Sequence, residues 1–153
     1  MQIETVHQAT NELWDVFQRL VPQLTSNNPP PTREELTSLV NSEASTILIA
    51  RSNSNAILGA ACVSVYRVPT GVRAVIEDVI VDESARGQGI GEALVRSCLE
   101  VAGSKGASGV SLTSNPRREA ANRLYQRMGF KKRETNAYYY KFQSVKSTVE
   151  KIN

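Results

Sequence analysis

The stretch Val75-Ile76-Glu77-Asp78-Val79-Ile80-Val81 leads, after four residues, into Arg86-Gly87-Gln88-Gly89-Ile90-Gly91-Glu92-Ala93-Leu94-Val95. An apolar, β-branched strand thus runs into a glycine-rich turn and then into an amphipathic helix. Three glycines within five residues allow positive φ and let backbone N–H groups approach a ligand with no Cβ in the way. The first turn of a helix carries unpaired N–H donors and the positive end of the macrodipole. Together these features make a cradle for phosphate or pyrophosphate, and Arg86 adds a charge-assisted donor. Two nucleotide patterns do not fit. The dinucleotide fingerprint needs a glycine at position 92, which is Glu92, and the chain has no Gly-Lys-Ser/Thr.

On the N-terminal side of this stretch, residues 2–7 read as an edge strand. Leu13, Trp14, Val16, Phe17, Leu20 and Val21 follow at helical spacing, with Pro22 expected to help end that helix. Residues 25–31 contain three consecutive prolines and form a loop. Thr32 and Glu35 form a capping-box pattern ahead of Leu36, Leu39 and Val40. Strands at 47–50, 57–68 and 72–81 are joined by connections too short for crossover helices, so they form an antiparallel meander.

On the C-terminal side, a helix over 89–103 leads to a strand at 110–113. Asn115 reads as an N-cap with Pro116 at the first helical position, and Gly129 reads as the stop of that helix. Phe130 opens a further strand, and Tyr138 to Phe142 give the last. The fold class is α+β, a mixed but mostly antiparallel central sheet of six to seven strands flanked by about four helices. Residues 1–142 are expected to form a single domain, with 143–153 a polar and mobile tail.

The 153 residues suffice for one core, and 41% hydrophobic with 22% charged residues is an ordinary globular composition. A formal net charge of +3, from 18 basic and 15 acidic residues, provides no concentrated basic stripe for nucleic acid. The sequence lacks a signal-peptide pattern and a bilayer-length apolar run, so a cytoplasmic protein without membrane contact is expected. Cys62 and Cys98 are far apart in apolar surroundings and read as buried, reduced thiols. The single histidine, His7, lies outside the glycine-turn region, so no zinc-ligand set is expected. Ser84, Ser97 and Ser114 lack a paired histidine for hydrolase chemistry.

The segment from Val75 to Val95 resembles the central motif of the GNAT superfamily of acetyltransferases, whose turn reads Arg/Gln-x-x-Gly-x-Gly/Ala; here these are Arg86, Gly89 and Gly91. Downstream, Ala121-Asn122-Arg123-Leu124-Tyr125-Gln126-Arg127-Met128-Gly129-Phe130 resembles the second signature, an asparagine and a tyrosine on a helix ending in Gly-Phe. The resemblance covers residues 46–142. One position departs from it: Arg118 stands seven residues before the tyrosine, where many members carry a second asparagine.

The resemblance implies an N-acetyltransferase that moves an acetyl group from acetyl-CoA to a primary amine by direct transfer in a ternary complex. The acceptor expected is a small molecule; a peptide or protein amine and a non-catalytic CoA sensor are the alternatives. Coenzyme contacts would fall on Val79, Ile80 and Val81 for the pantetheine arm and on Arg86, Gly87, Gln88, Gly89, Ile90 and Gly91 for the pyrophosphate, with Asn122 as a polar contact. Tyr125 matches the position whose hydroxyl lies near the coenzyme sulfur. A phenol with pKa near 10 can protonate a thiolate of similar basicity.

Glu77 and Asp78 interrupt an apolar strand, where carboxylates are costly unless paired or functional. The pair resembles that of glucosamine-phosphate acetyltransferases of the same superfamily and suggests Glu77 as base, with Asp78 orienting the substrate or a neighbour. A structural ion pair, for example with Arg73, is the other reading. Strand alternation puts the two on opposite faces unless a bulge intervenes. Of Tyr138, Tyr139 and Tyr140, at least one ring is expected in the core and another could line the acceptor pocket. Many relatives are dimers, which leaves room for a homodimer.

Overall fold

The computed structural model describes residues 1–143. The first strands follow the sequence pattern closely: β1 Gln2–Thr5, β2 Ser45–Arg51, β3 Ile57–Val68 and β4 Gly71–Val81 form an antiparallel meander. The short β5 Val110–Ser111 adds in parallel to β4, giving a five-stranded sheet in the order β1-β2-β3-β4-β5 among the described residues. The expected sixth and seventh strands are not formed. Residues 131–143 carry no strand and are exposed. Tyr138, Tyr139 and Tyr140 are 80–90% exposed, so none of the three rings is in the core. Intrinsic strand preference needs a half-buried surface to act on, and this arm lies on none. Residues 144–153 of the expected tail fall outside the described residues.

Among the described residues, four α-helices flank the sheet: α1 Asn11–Leu24, α2 Arg33–Val40, α3 Ile90–Ser104 and α4 Glu119–Arg127. Helix α2 has the full capping box: Thr32 Oγ1 accepts from the Glu35 N–H and the Glu35 carboxylate accepts from the Thr32 N–H. Helix α1 does not end at Pro22 but runs through it to Leu24. Its apolar face on the sheet (Leu13, Val16 and Leu20 buried, Val21 and Leu24 partly so) holds the last turn despite the lost N–H donor. Asn115 caps a turn and not the helix. Its Oδ1 accepts from the Arg117 N–H at 2.9 Å, and α4 begins only at Glu119.

The two faces of the sheet hold separate cores. On one face, Leu48, Val63, Ala74 and Ile76 meet Ile90, Leu94, Val95 and Cys98 of α3. On the other, Ile47, Ile49, Ala60 and Ile80 meet Leu13, Val16 and Leu20 of α1 and Leu36 of α2. Both cysteines are free thiols, Cys98 buried and Cys62 half-buried. Burial pushes both up, Cys98 to about 12 and Cys62 to about 11, with Asp78 and Glu77 adding to the effect on Cys62.

Ile76 and Ile80 are four residues apart and would share a face in a regular strand. They belong to opposite cores because β4 is bulged. Ala60 pairs with Ile80 and Cys62 with Glu77, so Asp78 and Val79 together oppose Ala61. Asp78 takes φ +51°, a left-handed conformation that aspartate tolerates better than most residues.

Leu94 is fully buried where α3 meets the sheet. Leu94→Ala should lower unfolding free energy by about 3 kcal/mol, the transfer loss plus the cavity left behind. Urea denaturation followed by circular dichroism reads this as a lower midpoint with little change in slope.

Candidate active site at the bulge and the glycine turn

The bulge decides where the two carboxylates go. In an unbroken strand they would alternate across the sheet; here both Glu77 and Asp78 are exposed and line one small cavity of about 250 Å³. Leu24, Thr25 and Asn28, at and just after the end of α1, form another wall, with Leu112 and Thr113 just beyond β5. Partial burial and the neighbouring Asp78 push the Glu77 carboxyl above its ordinary value of 4.5. No ion pair involves Glu77 or Asp78 among the described residues, and Arg73 donates instead to Thr70 Oγ1 at 2.8 Å.

A second cleft, of about 750 Å³, runs beside the first. Strand β4 pairs with β5 only at Ala74 and Val75, so the edge of β4 beyond Val75 is left without a strand partner on that side among the described residues. Val79, Ile80 and Val81 line the cleft, as do Arg86, Gly87, Gly89, Ile90 and Gly91 of the turn; Gln88 is not among its lining residues. Gly89 is the N-cap of α3 at φ +78° and offers no side-chain cap. The first N–H groups of α3 are therefore free to take an anionic ligand.

Five arginines line this cleft, Arg86, Arg117, Arg118, Arg123 and Arg127, against the two acidic side chains Glu92 and Glu119. Glu92 pairs with Arg96 at 2.9 Å and with Arg127 at 3.3 Å, tying α3 to α4 across the cleft. Arg123 pairs with Glu119 along α4. Arg117 and Arg118 enter no ion pair among the described residues, and their positive charge faces the cleft uncompensated. Of this arginine set, the sequence marks Arg86 and, at a helix start where they oppose the macrodipole, Arg117 and Arg118 as serving an anion or lying solvated; the full set is not a sequence expectation. Its signal, basic residues at 117, 118, 123 and 127, sits on and before one helix and gains meaning only when α4 packs beside the glycine turn.

Val79, Arg118 and Tyr125 line both cavities and mark their junction. Tyr125 is 9% exposed, and its ring meets Phe130 edge to face at 5.9 Å. Burial pushes the phenol above its ordinary value of 10.0, against a smaller downward pull from the Arg118 guanidinium. Asn122 donates to the Asn115 carbonyl at 2.9 Å and to the Arg118 carbonyl at 3.0 Å. Its amide thus fixes the loop that carries Arg118 over the junction.

The floor is anchored from the opposite face. Buried Asp82 pairs with Arg19 of α1 and accepts from the Ser84 N–H at 3.0 Å and the Ser84 hydroxyl at 2.6 Å. Arg19 also donates to the Ile57 carbonyl at 3.0 Å, and Gln23 accepts from the Glu83 N–H at 2.9 Å. The entry to the glycine turn is thereby locked to α1.

Known proteins are similar to this chain in sequence and fold. Residues 7–130 match the model of the acetyltransferase (GNAT) family. The glucosamine 6-phosphate N-acetyltransferase of Trypanosoma brucei brucei is 40% identical over 81 residues, 51% of this chain and 53% of that protein. The chain thus spans about half the length of the curated relative it matches. Among solved structures, a Trypanosoma brucei acetyltransferase superposes with a TM-score of 0.71 at 25% identity, covering 91% of this chain and 99% of that one. An aminoglycoside acetyltransferase from an uncultured soil metagenomic sample, in complex with sisomicin, has the same fold (TM-score 0.79, 21% identity, 93% and 96% covered). With the family model spanning residues 7–130, the chain belongs to the GNAT acetyltransferase family.

Proposed function

We propose that residues 1–142 act as one catalytic domain that transfers the acetyl group of acetyl-CoA to the primary amine of a small molecule, within a ternary complex. The observation that carries this reading is the junction at Val79, Arg118 and Tyr125. There, an arginine-lined cleft suited to a polyanionic donor meets a small cavity holding two carboxylates. A volume of about 250 Å³ is enough for a small amine. The name of the 40%-identical relative, a glucosamine 6-phosphate N-acetyltransferase, points to the same acceptor class.

The residues present fit the coenzyme. The free N–H groups at the start of α3 and Arg86 would hold the pyrophosphate, and the open edge of β4 at Val79–Val81 would pair with the pantetheine amides. Bound there, acetyl-CoA supplies an activated acyl group on a leaving thiol. A backbone N–H of the β4 edge would stabilise the oxyanion as the acceptor nitrogen attacks the carbonyl carbon. Glu77, directly or through a water, takes the proton of the amine, and its raised affinity for protons strengthens it as a base. Asp78 orients the acceptor. As the C–N bond forms and the C–S bond breaks, the Tyr125 hydroxyl donates its proton to the thiolate. Burial keeps that phenol protonated at neutral pH, so the acid is in its working form.

Substitutions at the turn and the junction, a pH profile and an acceptor panel test this reading. Gly89→Leu places a side chain at φ +78° over the free N–H groups, and calorimetry should show acetyl-CoA affinity at least about tenfold weaker while the fold is retained. Tyr125→Phe should lower kcat by about 100-fold with acetyl-CoA affinity nearly unchanged, since the hydroxyl acts on the leaving group.

For Glu77 the working form is the carboxylate, so kcat/KM should fall as pH drops through a value above the ordinary 4.5. Glu77→Gln should remove that acidic limb and lower kcat by about 100-fold. Thiol release on a panel of amino sugars, other small amines and peptides identifies the acceptor. Turnover of peptides alone would reject the small-molecule assignment.

A further inference from the structure

The small cavity carries both signs of charge. Glu77 and Asp78 of β4 line it, and Arg118 is the one cationic side chain among its lining residues. The guanidinium lies close enough to the Tyr125 hydroxyl to offset part of the effect of burial on that phenol. Its charge is thus felt where the two cavities meet. Arg118 nevertheless enters no ion pair among the described residues, with Glu77 and Asp78 included.

This guanidinium is fixed at its root and is costly where it stands. Arg118 is the N-cap residue of α4, and its side chain makes no capping bond. A positive charge at a helix start opposes the macrodipole unless an anion accompanies it. The Arg118 N–H donates to the Asn115 carbonyl at 2.9 Å, and the Arg118 carbonyl accepts from the Asn122 N–H and side-chain amide, both at 3.0 Å. The large cleft has other cations for a polyanionic donor. Arg86, Arg117, Arg123 and Arg127 line it without lining the small cavity, and the uncapped start of α3 adds to them. In the small cavity Arg118 is alone in sign, accompanied by the neutral donors Thr25, Asn28 and Thr113.

We propose that Arg118 selects the acceptor: the molecule received in the small cavity bears an anionic group, a phosphate or a carboxylate, besides its amine. Arg118 binds that group while Glu77 and Asp78 receive the amine. The planar donors of arginine match paired oxygens of either anion. A cavity with opposite charges on different walls favours a molecule that carries the complementary pair. An amine without an anion would cover the guanidinium and leave it unpaired, which disfavours such acceptors. The inference rests on the acetyl transfer proposed above for the fate of the amine; the recognition itself is a matter of binding.

Thiol release is measured on paired acceptors that differ chiefly in the anion: ethanolamine with phosphoethanolamine, glucosamine with glucosamine 6-phosphate, and propylamine with β-alanine. In at least one pair the anionic member should have the higher kcat/KM, by at least about tenfold, as a charge-assisted hydrogen bond provides. The phosphate and carboxylate pairs tell the two anions apart. Arg118→Gln should lower that ratio by at least about tenfold, through the KM of the anionic acceptor, and Arg118→Lys should keep more of it because the charge remains. Calorimetry of the anionic amines on the coenzyme-A-bound protein should show Arg118→Gln weakening binding by a similar factor.

If amines turn over but no pair shows the preference, or the preference survives Arg118→Gln, the proposal is overturned and the acetyl transfer stands. The same holds if Arg118→Gln weakens acetyl-CoA binding and leaves the ratio unchanged, since Arg118 is then a coenzyme contact. If no amine turns over, the reaction is rejected and calorimetry alone decides. Anion-dependent binding that is lost in Arg118→Gln upholds the assignment; equal or absent binding overturns it.

Discussion

One extra residue in β4, opposite Ala61, governs both the packing and the site. Without it, Ile76 and Ile80 would point the same way, and one of the two cores would lose a buried isoleucine. With it, the strand contributes Ile76 to the α3 side and Ile80 to the α1 side. The left-handed backbone at Asp78 costs roughly 1–2 kcal/mol, less than the burial of a single isoleucine contributes. The fold therefore tolerates the irregularity. Placing Glu77 and Asp78 in one cavity is a result of the same shift, so the proposed chemistry and the core depend on a common feature.

The second determinant is the early end of β5. Because β5 pairs with β4 at only two positions, the rest of the β4 edge stays open beside the glycine turn. Backbone groups that a longer neighbour would have consumed remain available to a ligand. Around that opening, positive charge gathers from three places: the free end of α3, Arg86 in the turn, and the arginines on and before α4. Glu92 offsets part of this charge while fixing the two helices to one another. The net field favours a polyanion, and the carboxylates sit in the adjoining cavity.

The tie between Arg19 and Asp82 links these features to the far side of the sheet. Arg19 is half-exposed, so solvent screens part of this attraction, but its removal would leave the buried Asp82 carboxylate with no cationic partner among the described residues. Here that carboxylate also holds the turn at Ser84, and its loss would reach the start of the glycine loop. Helix α1 and the loop after it thus serve two purposes: they cover one core and they form a wall of the small cavity.

The amino-acid sequence by itself determined the meander, the glycine turn, the capping box at Thr32 and the family, because each is written in local spacing: alternation, glycines at a helix start, paired caps. It also marked Glu77 and Asp78, as carboxylates in an apolar strand stand out without a structure, and Tyr125 through the resemblance of its helix to the family's second signature. Tertiary structure alone decided that the carboxylates share a cavity, since a bulge is set by the register against β3 and by two competing cores. It likewise gathered the arginines, which are distant from Arg86 in sequence and meet it only when α4 docks. Tyr138 to Phe142 show the same limit. Strand preference is written in those residues, but a strand forms only against another edge, and the fold leaves them exposed with no strand beside them.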